Sequence, residues 1–174
     1  KRNYLERMIN KKVYCMKISK KYDSRYWDGN RKFGYGGYNY DGRWRKIAKK
    51  IIKRYKLDKN SKILDIGCGK GHLIYELKKI LNSSKIYGID ISKYALKNSP
   101  DEIKKNLRLL DVRKGLKYKK NFFDLVISIN LIHNLEINFL KKFINEITKI
   151  SKKSFITTES YRNEKELFNL QCWA

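Results

Sequence analysis

The clearest indication of the fold is the segment Ile63-Leu64-Asp65-Ile66-Gly67-Cys68-Gly69-Lys70-Gly71-His72-Leu73. An apolar run with an acidic residue comes first, glycines then recur at every second position, and a helical pattern follows. This order predicts a strand, a tight turn and the start of a helix. Glycine is needed where the backbone takes positive φ or approaches a ligand closely. Since a helix N-terminus also offers free N–H groups and a positive dipole end, we expect a nucleotide-like ligand at this turn.

The spacing of these glycines differs from the dinucleotide-binding fingerprint G-x-G-x-x-G. Here the spacing is G-x-G-x-G, and Asp65 stands two residues before the first glycine. A second apolar segment, residues 86–91, carries Asp90 near its end. An acidic residue in that place can accept hydrogen bonds from both hydroxyls of a ribose. A βαβ turn that binds no ligand is the alternative interpretation.

Apolar segments alternate with helical patterns along the rest of the chain. This alternation favours an α/β fold with a parallel sheet and helices on both faces. We predict strands at 62–66, 85–91, 107–112, 123–129 and 154–159. We predict helices at 43–56, 71–81, 93–98 and 136–150, with a further apolar helix start at 167–173. Residues 1–20 are predicted to form either an N-terminal helix or a partly ordered arm.

With Asp65, the glycine turn and Asp90 in this order, the chain resembles the class I S-adenosylmethionine-dependent methyltransferases. The resemblance implies a doubly wound, mostly parallel, Rossmann-like sheet, with S-adenosylmethionine as cofactor and S-adenosylhomocysteine as product. It also implies that the turn contacts the methionine part of the cofactor through Gly67, Cys68, Gly69 and Gly71. Asp90 would hold the ribose, and Ile91 would pack on the adenine. Cys68 is expected to supply space in the turn and not to act as a nucleophile.

The residues after the third and fourth predicted strands extend this resemblance. Asp111 and Val112 resemble the adenine-recognition pair of the family, in which the carboxylate accepts from the exocyclic amine and the N–H donates to a ring nitrogen. A helix cap or a surface charge is the alternative role for Asp111. After the fourth strand, Asn130 and Leu131 are expected to face the cofactor.

Candidate catalytic residues follow the last two predicted strands. His133 is the best candidate for a general base, because imidazole can accept a proton near neutral pH. A structural role for this histidine stays open, and holding the acceptor in line with the methyl group can itself supply much of the rate. Glu159 and Tyr161 are candidates to bind or deprotonate a hydroxyl or amine, and Arg162 to pair with an anionic substrate. A capped helix start is the alternative for this last cluster.

Residues 21–44 are rich in aromatic residues, glycine and arginine, and this composition predicts a loop without regular elements. Three interpretations remain open: a lid over the cofactor or substrate, a base-stacking surface for single-stranded RNA, and a structural wrap at the edge of the core. The lid interpretation makes Tyr38 and Arg43 cofactor contacts, with Arg43 meeting the cofactor carboxylate. We therefore divide the chain into an N-terminal arm and lid, 1–44, and a methyltransferase domain, 45–174.

Composition restricts the function further. The net charge is +25, from 42 Lys+Arg and 17 Asp+Glu, which indicates either a nucleic-acid partner or compositional drift in an AT-rich genome.

No apolar run is long enough to span a membrane, and the three scattered cysteines are typical of reduced thiols in a cytoplasmic protein. The predicted strand ends carry no cluster of acidic residues that would suggest a metal site. The family's final antiparallel hairpin is missing, so we expect the chain to be truncated at its C-terminus.

Three functions follow from these observations. The first is methyl transfer to a small-molecule acceptor, namely O-methylation of a sugar-linked, phosphorylated or surface-polysaccharide-related hydroxyl; the sugar is suggested by analogy alone. The second is methylation of RNA, which the charge and the aromatic residues suggest but which we favour less. The third is a non-catalytic cofactor-binding subunit that acts through a partner. The sequence does not indicate an oligomeric state.

Overall fold

The computed structural model describes residues 4–9 and 11–173, without the side chain of Trp173. The chain forms two compact units. The first contains the residues up to Asn39 together with those from Glu159 onward, and the second is Tyr40–Thr158. These compact units are not a test of the domain boundaries of the whole protein. The predicted boundary at residue 44 therefore stays a prediction.

The second unit contains a five-stranded sheet whose paired strands are all parallel. Its strands are β1 (Ile63–Ile66), β2 (Ile86–Asp90), β3 (Leu107–Leu109), β4 (Leu125–Ile129) and β5 (Ser154–Thr157). All five were predicted, although β2, β3 and β5 end earlier than the apolar pattern suggested. The order β3-β2-β1-β4-β5 reverses between β1 and β4. Ligands of open α/β sheets bind at such a reversal, beyond the carboxyl ends of the strands.

The helices confirm most of the periodic pattern. In chain order they are α1 (Tyr4–Ile9), α2 (Lys12–Ser19), α3 (Ser24–Trp27), α4 (Trp44–Tyr55), α5 (His72–Leu81), α6 (Lys93–Lys97), α7 (Asp101–Lys104), α8 (Ile137–Ile150) and α9 (Glu164–Trp173). Short 3-10 helices lie at Val112–Lys114 and Ile132–Asn134. Helix α9 begins three residues before the predicted apolar start, because the Asn163 side chain accepts a hydrogen bond from the Glu166 N–H and caps it.

Helices cover both faces of the sheet, as predicted. On one face Ile63, Leu125 and Ile127 form a cluster with apolar residues of α4 and α5. On the other face Leu64, Ile66 and Val126 pack with apolar residues of α8, which are Phe143, Ile147 and Ile150. Neighbouring residues of β1 therefore point to opposite cores, as the two-residue period of a strand requires. This double burial holds the carboxyl end of β1, and the turn that follows it, on a rigid base.

The first unit corrects the prediction that residues 21–44 contain no regular element. The side chain of Asp23 accepts a hydrogen bond from the Arg25 N–H and caps the short helix α3, which buries Trp27. The Trp27 ring stacks on Tyr35 at 5.3 Å and lies 5.4 Å from Tyr38. The prediction failed because the glycine-rich composition hides one capped helical turn. These aromatic contacts support the structural-wrap interpretation of the segment.

Candidate cofactor site

The turn after β1 has the backbone conformation that its glycines predicted. Gly67, Gly69 and Gly71 have φ values of 79°, 56° and 73°, in the left-handed region that favours glycine. The Gly67 N–H donates to the Ile89 carbonyl at 2.8 Å, so the turn is tied to β2. Gly71 stands immediately before α5, whose first N–H groups have no partner within the helix. The turn therefore joins a buried strand to a helix N-terminus at the reversal of the sheet.

Close packing gives two of these glycines a second constraint. A Cβ on Gly71 would lie 2.4 Å from the Cδ1 of Ile103, and a Cβ on Gly67 would lie 2.7 Å from the Cδ1 of Leu131. Both distances are too short for carbon atoms in contact. Larger side chains at these positions would therefore require a strained backbone and a shift of their neighbours.

Asp90 anchors the turn from the end of β2. Its Oδ2 accepts a hydrogen bond from the Gly69 N–H, and its Oδ1 accepts one from the Ser92 N–H, both at 2.7 Å. Asp90 is 8% exposed, and burial raises the pKa of its carboxyl although the two N–H groups oppose this. Each carboxylate oxygen can accept more than one hydrogen bond. Asp90 can therefore shape the turn and still accept from a ligand hydroxyl.

Asp65 and Cys68 lie beside this anchor. Asp65 is 4% exposed in the middle of the sheet, and burial raises the pKa of its carboxyl to about 7, with a further contribution from the charge of Asp90. Burial also raises the pKa of the Cys68 thiol well above its ordinary value, and both carboxylates add to the rise. Because the thiolate is the reactive form of cysteine, this environment supports the expected spacing role of Cys68.

The predicted adenine-recognition pair lies after β3. The side chain of Asp111 accepts from the Arg113 N–H at 3.0 Å and pairs with its guanidinium at 2.6 Å, which lowers the pKa of the carboxyl chiefly through the side-chain hydrogen bond. Asp111 thus caps the 3-10 helix at Val112–Lys114. The structure has this carboxylate in the capping role that the sequence left as the alternative. A contact with adenine stays a prediction.

The residues after β2 and β4 lie at the same edge of the sheet. Ile91 is 42% exposed, as a residue that packs on a ligand must be. Asn130 has positive φ, 55°, and its N–H donates to the Thr157 carbonyl at 3.0 Å, so it turns the chain at the end of β4. The side chain of Leu131 occupies the space next to Gly67 that a Cβ at that position would need. His133 lies exposed in the 3-10 helix that follows.

The remaining predicted site residues belong to other surroundings. Tyr38, Glu159 and Tyr161 lie in the first unit, where Glu159 and Tyr161 are exposed and Tyr38 lies 4.6 Å from the ring of Tyr35. Arg43 belongs to the second unit and pairs with Asp41, its Nε lying 2.6 Å from Oδ2. The second unit therefore brings together Asp65, the glycine turn, Asp90 and Leu131.

Arg162, which the sequence offered for an anionic substrate, is paired within the first unit. Its guanidinium bonds to Glu166 of α9 at 2.5 Å. An anionic substrate would therefore have to compete with this carboxylate.

A comparison with protein families matches a methyltransferase-domain model to residues 57–173, more than half of the chain. The chain belongs to the class I S-adenosylmethionine-dependent methyltransferases. The matched range contains the glycine turn, Asp90, Asp111 and the loop after β4. The predicted family and cofactor are thereby confirmed.

The alignments with two curated relatives include a larger share of this chain than of the relatives themselves. A ubiquinone biosynthesis O-methyltransferase of Pelagibacter ubique is 34% identical over 85% of this chain and 63% of its own length. The mitochondrial arginine-hydroxylase NDUFAF5 of Mus musculus is 31% identical over 63% of this chain and 31% of its own length. The chain thus spans less than two thirds of the length of these relatives.

Solved structures confirm the fold. A protein of Pyrococcus horikoshii superposes with a TM-score of 0.60 at 22% identity, over 86% of this chain and 67% of its own. The [4+2]-cyclase SpnF superposes with a TM-score of 0.58 at 22% identity, over 74% of this chain and 52% of its own. At these identities the likeness concerns the Rossmann-like methyltransferase fold alone.

Within this methyltransferase fold, the sequence interpretation missed a polar group on α5. Glu76 is 1% exposed and accepts a hydrogen bond from the hydroxyl of Tyr40, which raises the pKa of that tyrosine to about 12. Its other oxygen, Oε2, has no hydrogen-bond partner among the described residues. His72, one turn earlier, has its pKa lowered to about 4, chiefly by burial. The four-residue spacing of His72 and Glu76 was the available signal, since it puts both on one helix face.

No group of three or more His, Cys, Asp or Glu among the described residues is arranged to hold a metal ion. None of the helices they form combines the length and the apolar character of a membrane-crossing segment.

Proposed function

We propose that this chain is the cofactor-binding part of an enzyme that transfers a methyl group from S-adenosylmethionine to a hydroxyl oxygen of a small molecule. The observation that carries the proposal is the glycine turn, which the buried carboxylate of Asp90 holds in the left-handed conformation. The O-methyltransferase of Pelagibacter ubique, 34% identical, supports oxygen as the accepting atom. The acceptor is a proposal because the chain covers only part of that relative.

The chemistry of the turn fits this cofactor. When bound, S-adenosylmethionine supplies an electrophilic methyl group on a positively charged sulfonium. Asp65 and Asp90 are both buried and both have raised pKa values, so a nearby positive charge would stabilise their ionised forms. The exposed face of Ile91 offers an apolar surface for a purine. The glycine turn, the two carboxylates and Ile91 would thus hold the cofactor at the carboxyl ends of β1 and β2.

The catalytic roles rest on position in the fold. His133 follows β4, at the edge of the sheet where the glycine turn also lies, and its exposed imidazole is available to take the proton of an acceptor hydroxyl. Glu159 and Tyr161 are proposed to bind the acceptor from the segment after β5. Orientation of the acceptor hydroxyl supplies the other part of the rate enhancement.

The identity of the acceptor is less defined than the chemistry. The names of the two curated relatives point to ubiquinone biosynthesis and arginine hydroxylation, and neither points to a sugar or a surface polysaccharide. The proposal therefore keeps the hydroxyl acceptor, and it leaves the sugar as one member of a test panel. The three free cysteines, Cys15, Cys68 and Cys172, support a cytoplasmic location as part of the same proposal.

The test is transfer of a labelled methyl group from S-adenosylmethionine to a panel of phenols, catechols, sugars and sugar phosphates. We expect one acceptor class to be methylated on oxygen. We also expect Asp90→Asn to raise the KM for S-adenosylmethionine. His133→Gln is expected to reduce kcat and to remove the rise of rate with pH that a general base produces. Cofactor binding without turnover on any acceptor would instead support the non-catalytic subunit.

A further inference from the structure

Helix α4 presents a continuous basic face. Its sequence, WRKIAKKIIKRY, contains six cationic residues and no acidic one. All six are exposed, and none of them forms a salt bridge with a described acidic residue; they are Arg45, Lys46, Lys49, Lys50, Lys53 and Arg54. The charge of this face is therefore not balanced within the described chain.

The apolar side of α4 packs against the core. Ala48 and Ile51 are 0% and 3% exposed, and Trp44, Ile47, Ile52 and Tyr55 pack against the same core cluster. None of the apolar side chains of α4 is exposed, so the helix lacks an open apolar face for insertion into a lipid surface. Interfacial helices bind membranes by burying such an apolar face. The available chemistry of α4 is that of cations alone.

The cations are spaced as a polyanion-binding row. They occur as three pairs, at 45 and 46, 49 and 50, and 53 and 54, which recur every four residues, or about 6 Å along the helix. The whole row covers about 14 Å. A nucleic-acid duplex carries about eight phosphate charges over that length, at about 1.7 Å each. The row thus provides nearly as many positive charges as the duplex presents negative ones.

A second helix shows that lysine content alone does not produce this arrangement. Helix α8 also exposes lysines, at Lys141, Lys142 and Lys149, but it carries Glu146 and leaves the apolar residues Ile137 and Phe139 exposed. If the charge were only compositional, α4 and α8 would behave alike. Their lysines therefore form a matched pair for an experiment.

We propose that the α4 face binds the phosphodiester backbone of a nucleic acid. The face has neither exposed amide side chains to read base edges nor exposed aromatic rings to stack on bases, so the binding is independent of sequence. Arginine and lysine contacts to phosphates release counterions, which makes such binding strongly dependent on salt. This proposal rests on the charge and exposure of α4 and does not depend on the proposed methyl transfer.

The experiment measures the binding of a fluorescently labelled short DNA duplex, and of an RNA duplex of the same sequence, by anisotropy between about 50 and 200 mM salt. The test variant is K49A/K50A/K53A, and the matched control is K141A/K142A/K149A. Both remove three charges from exposed helix positions and introduce a residue with high helix propensity. Thermal melting of each variant shows whether it is folded, and vesicles containing anionic lipid form a separate arm.

We expect the α4 variant to lose at least about tenfold in affinity, and the slope of log K against log salt to fall by about 2.7, which is 0.9 for each lost phosphate contact. The α8 variant is expected to change the slope by less than about 1. Equal losses in the two folded variants would overturn the proposal, since charge without location would then explain the binding. Absence of duplex binding by the wild-type chain, or binding of anionic vesicles alone, would also overturn it.

Discussion

Asp90 and Asp111 occupy similar places in the sequence but differ in the structure. Asp90 is the last residue of β2 and Asp111 comes two residues after β3, and each was predicted to contact the cofactor. Asp90 is buried and bonds to Gly69, 21 residues away, so it determines the shape of a distant turn. Asp111 bonds to Arg113, two residues away, so it caps its own loop. The pKa is raised in the first and lowered in the second. Burial and the distance along the sequence to the hydrogen-bond partner therefore decide what an aspartate can do.

The largest difference is expected when each carboxylate is removed. Asp90→Ala leaves the buried N–H groups of Gly69 and Ser92 without an acceptor, at about 1–3 kcal/mol each, so the free energy of unfolding falls by about 2–6 kcal/mol. Asp111→Ala removes a local cap, and we expect a loss of about 1 kcal/mol. Urea denaturation of both variants measures the two values. A loss for Asp111→Ala that equals the loss for Asp90→Ala would remove the distinction.

The glycine turn that Asp90 holds provides the next test. Gly71→Ala places a Cβ against Ile103 at positive φ, and we expect it to reduce the free energy of unfolding by about 2–3 kcal/mol. Gly42→Ala is the control, because Gly42 also has positive φ, 77°, but open space around its Cβ position. It carries only the backbone strain, about 1 kcal/mol. Thermal or urea unfolding distinguishes them, and equal losses would mean that the contact with Ile103 is unimportant.

The pH dependence of stability reports the buried environment that Asp65 shares with Asp90. In the folded chain the pKa of Asp65 is raised to about 7, whereas an unfolded aspartate has a pKa of about 3.9. Between these two pH values the folded state binds more protons than the unfolded state. The contribution of Asp65 to stability is therefore lost as the pH rises through this range. Asp65→Asn should remove that loss.

The measurement compares the free energy of unfolding at pH 5 and pH 8 in the wild type and in Asp65→Asn. We expect the decrease from pH 5 to pH 8 to be smaller in the variant by at least about 1.4 kcal/mol, the equivalent of one pKa unit. An unchanged decrease would show that Asp65 titrates as an ordinary aspartate in the folded chain.

The smallest effect is expected at Arg113. Its ion pair with Asp111 is partly exposed on the arginine side, and exposed pairs contribute about 0–1 kcal/mol. Arg113→Ala should therefore change the free energy of unfolding by less than about 1 kcal/mol, and added salt should reduce even this difference. A larger and salt-independent loss would mean that Asp111 and Arg113 form a buried element like the one at Asp90.

The elements with strong local patterns were predictable from the sequence. The five strands follow from apolar runs, α4, α5 and α8 follow from their helical periodicity, and the turn follows from three closely spaced glycines. Side-chain partners were not predictable in the same way. Arg113 takes the carboxylate of Asp111, Tyr40 reaches Glu76 from 36 residues away, and Asp23 caps a helical turn within a glycine-rich segment. These contacts depend either on which residues the fold brings together or on a single local hydrogen bond. Neither kind of contact leaves a signal in the spacing of apolar residues, from which the elements were predicted.

The most direct test of the cofactor site is calorimetric titration of S-adenosylhomocysteine into the wild-type chain, Asp90→Asn and Asp111→Asn. Asparagine keeps the shape of each side chain but replaces one acceptor oxygen with a donor. We predict that the wild type binds, that Asp90→Asn weakens binding by at least about tenfold, equivalent to about 1.4 kcal/mol, and that Asp111→Asn weakens it clearly less. Unchanged affinity in a folded Asp90→Asn variant, or no binding by the folded wild type, would contradict a cofactor site anchored at Asp90.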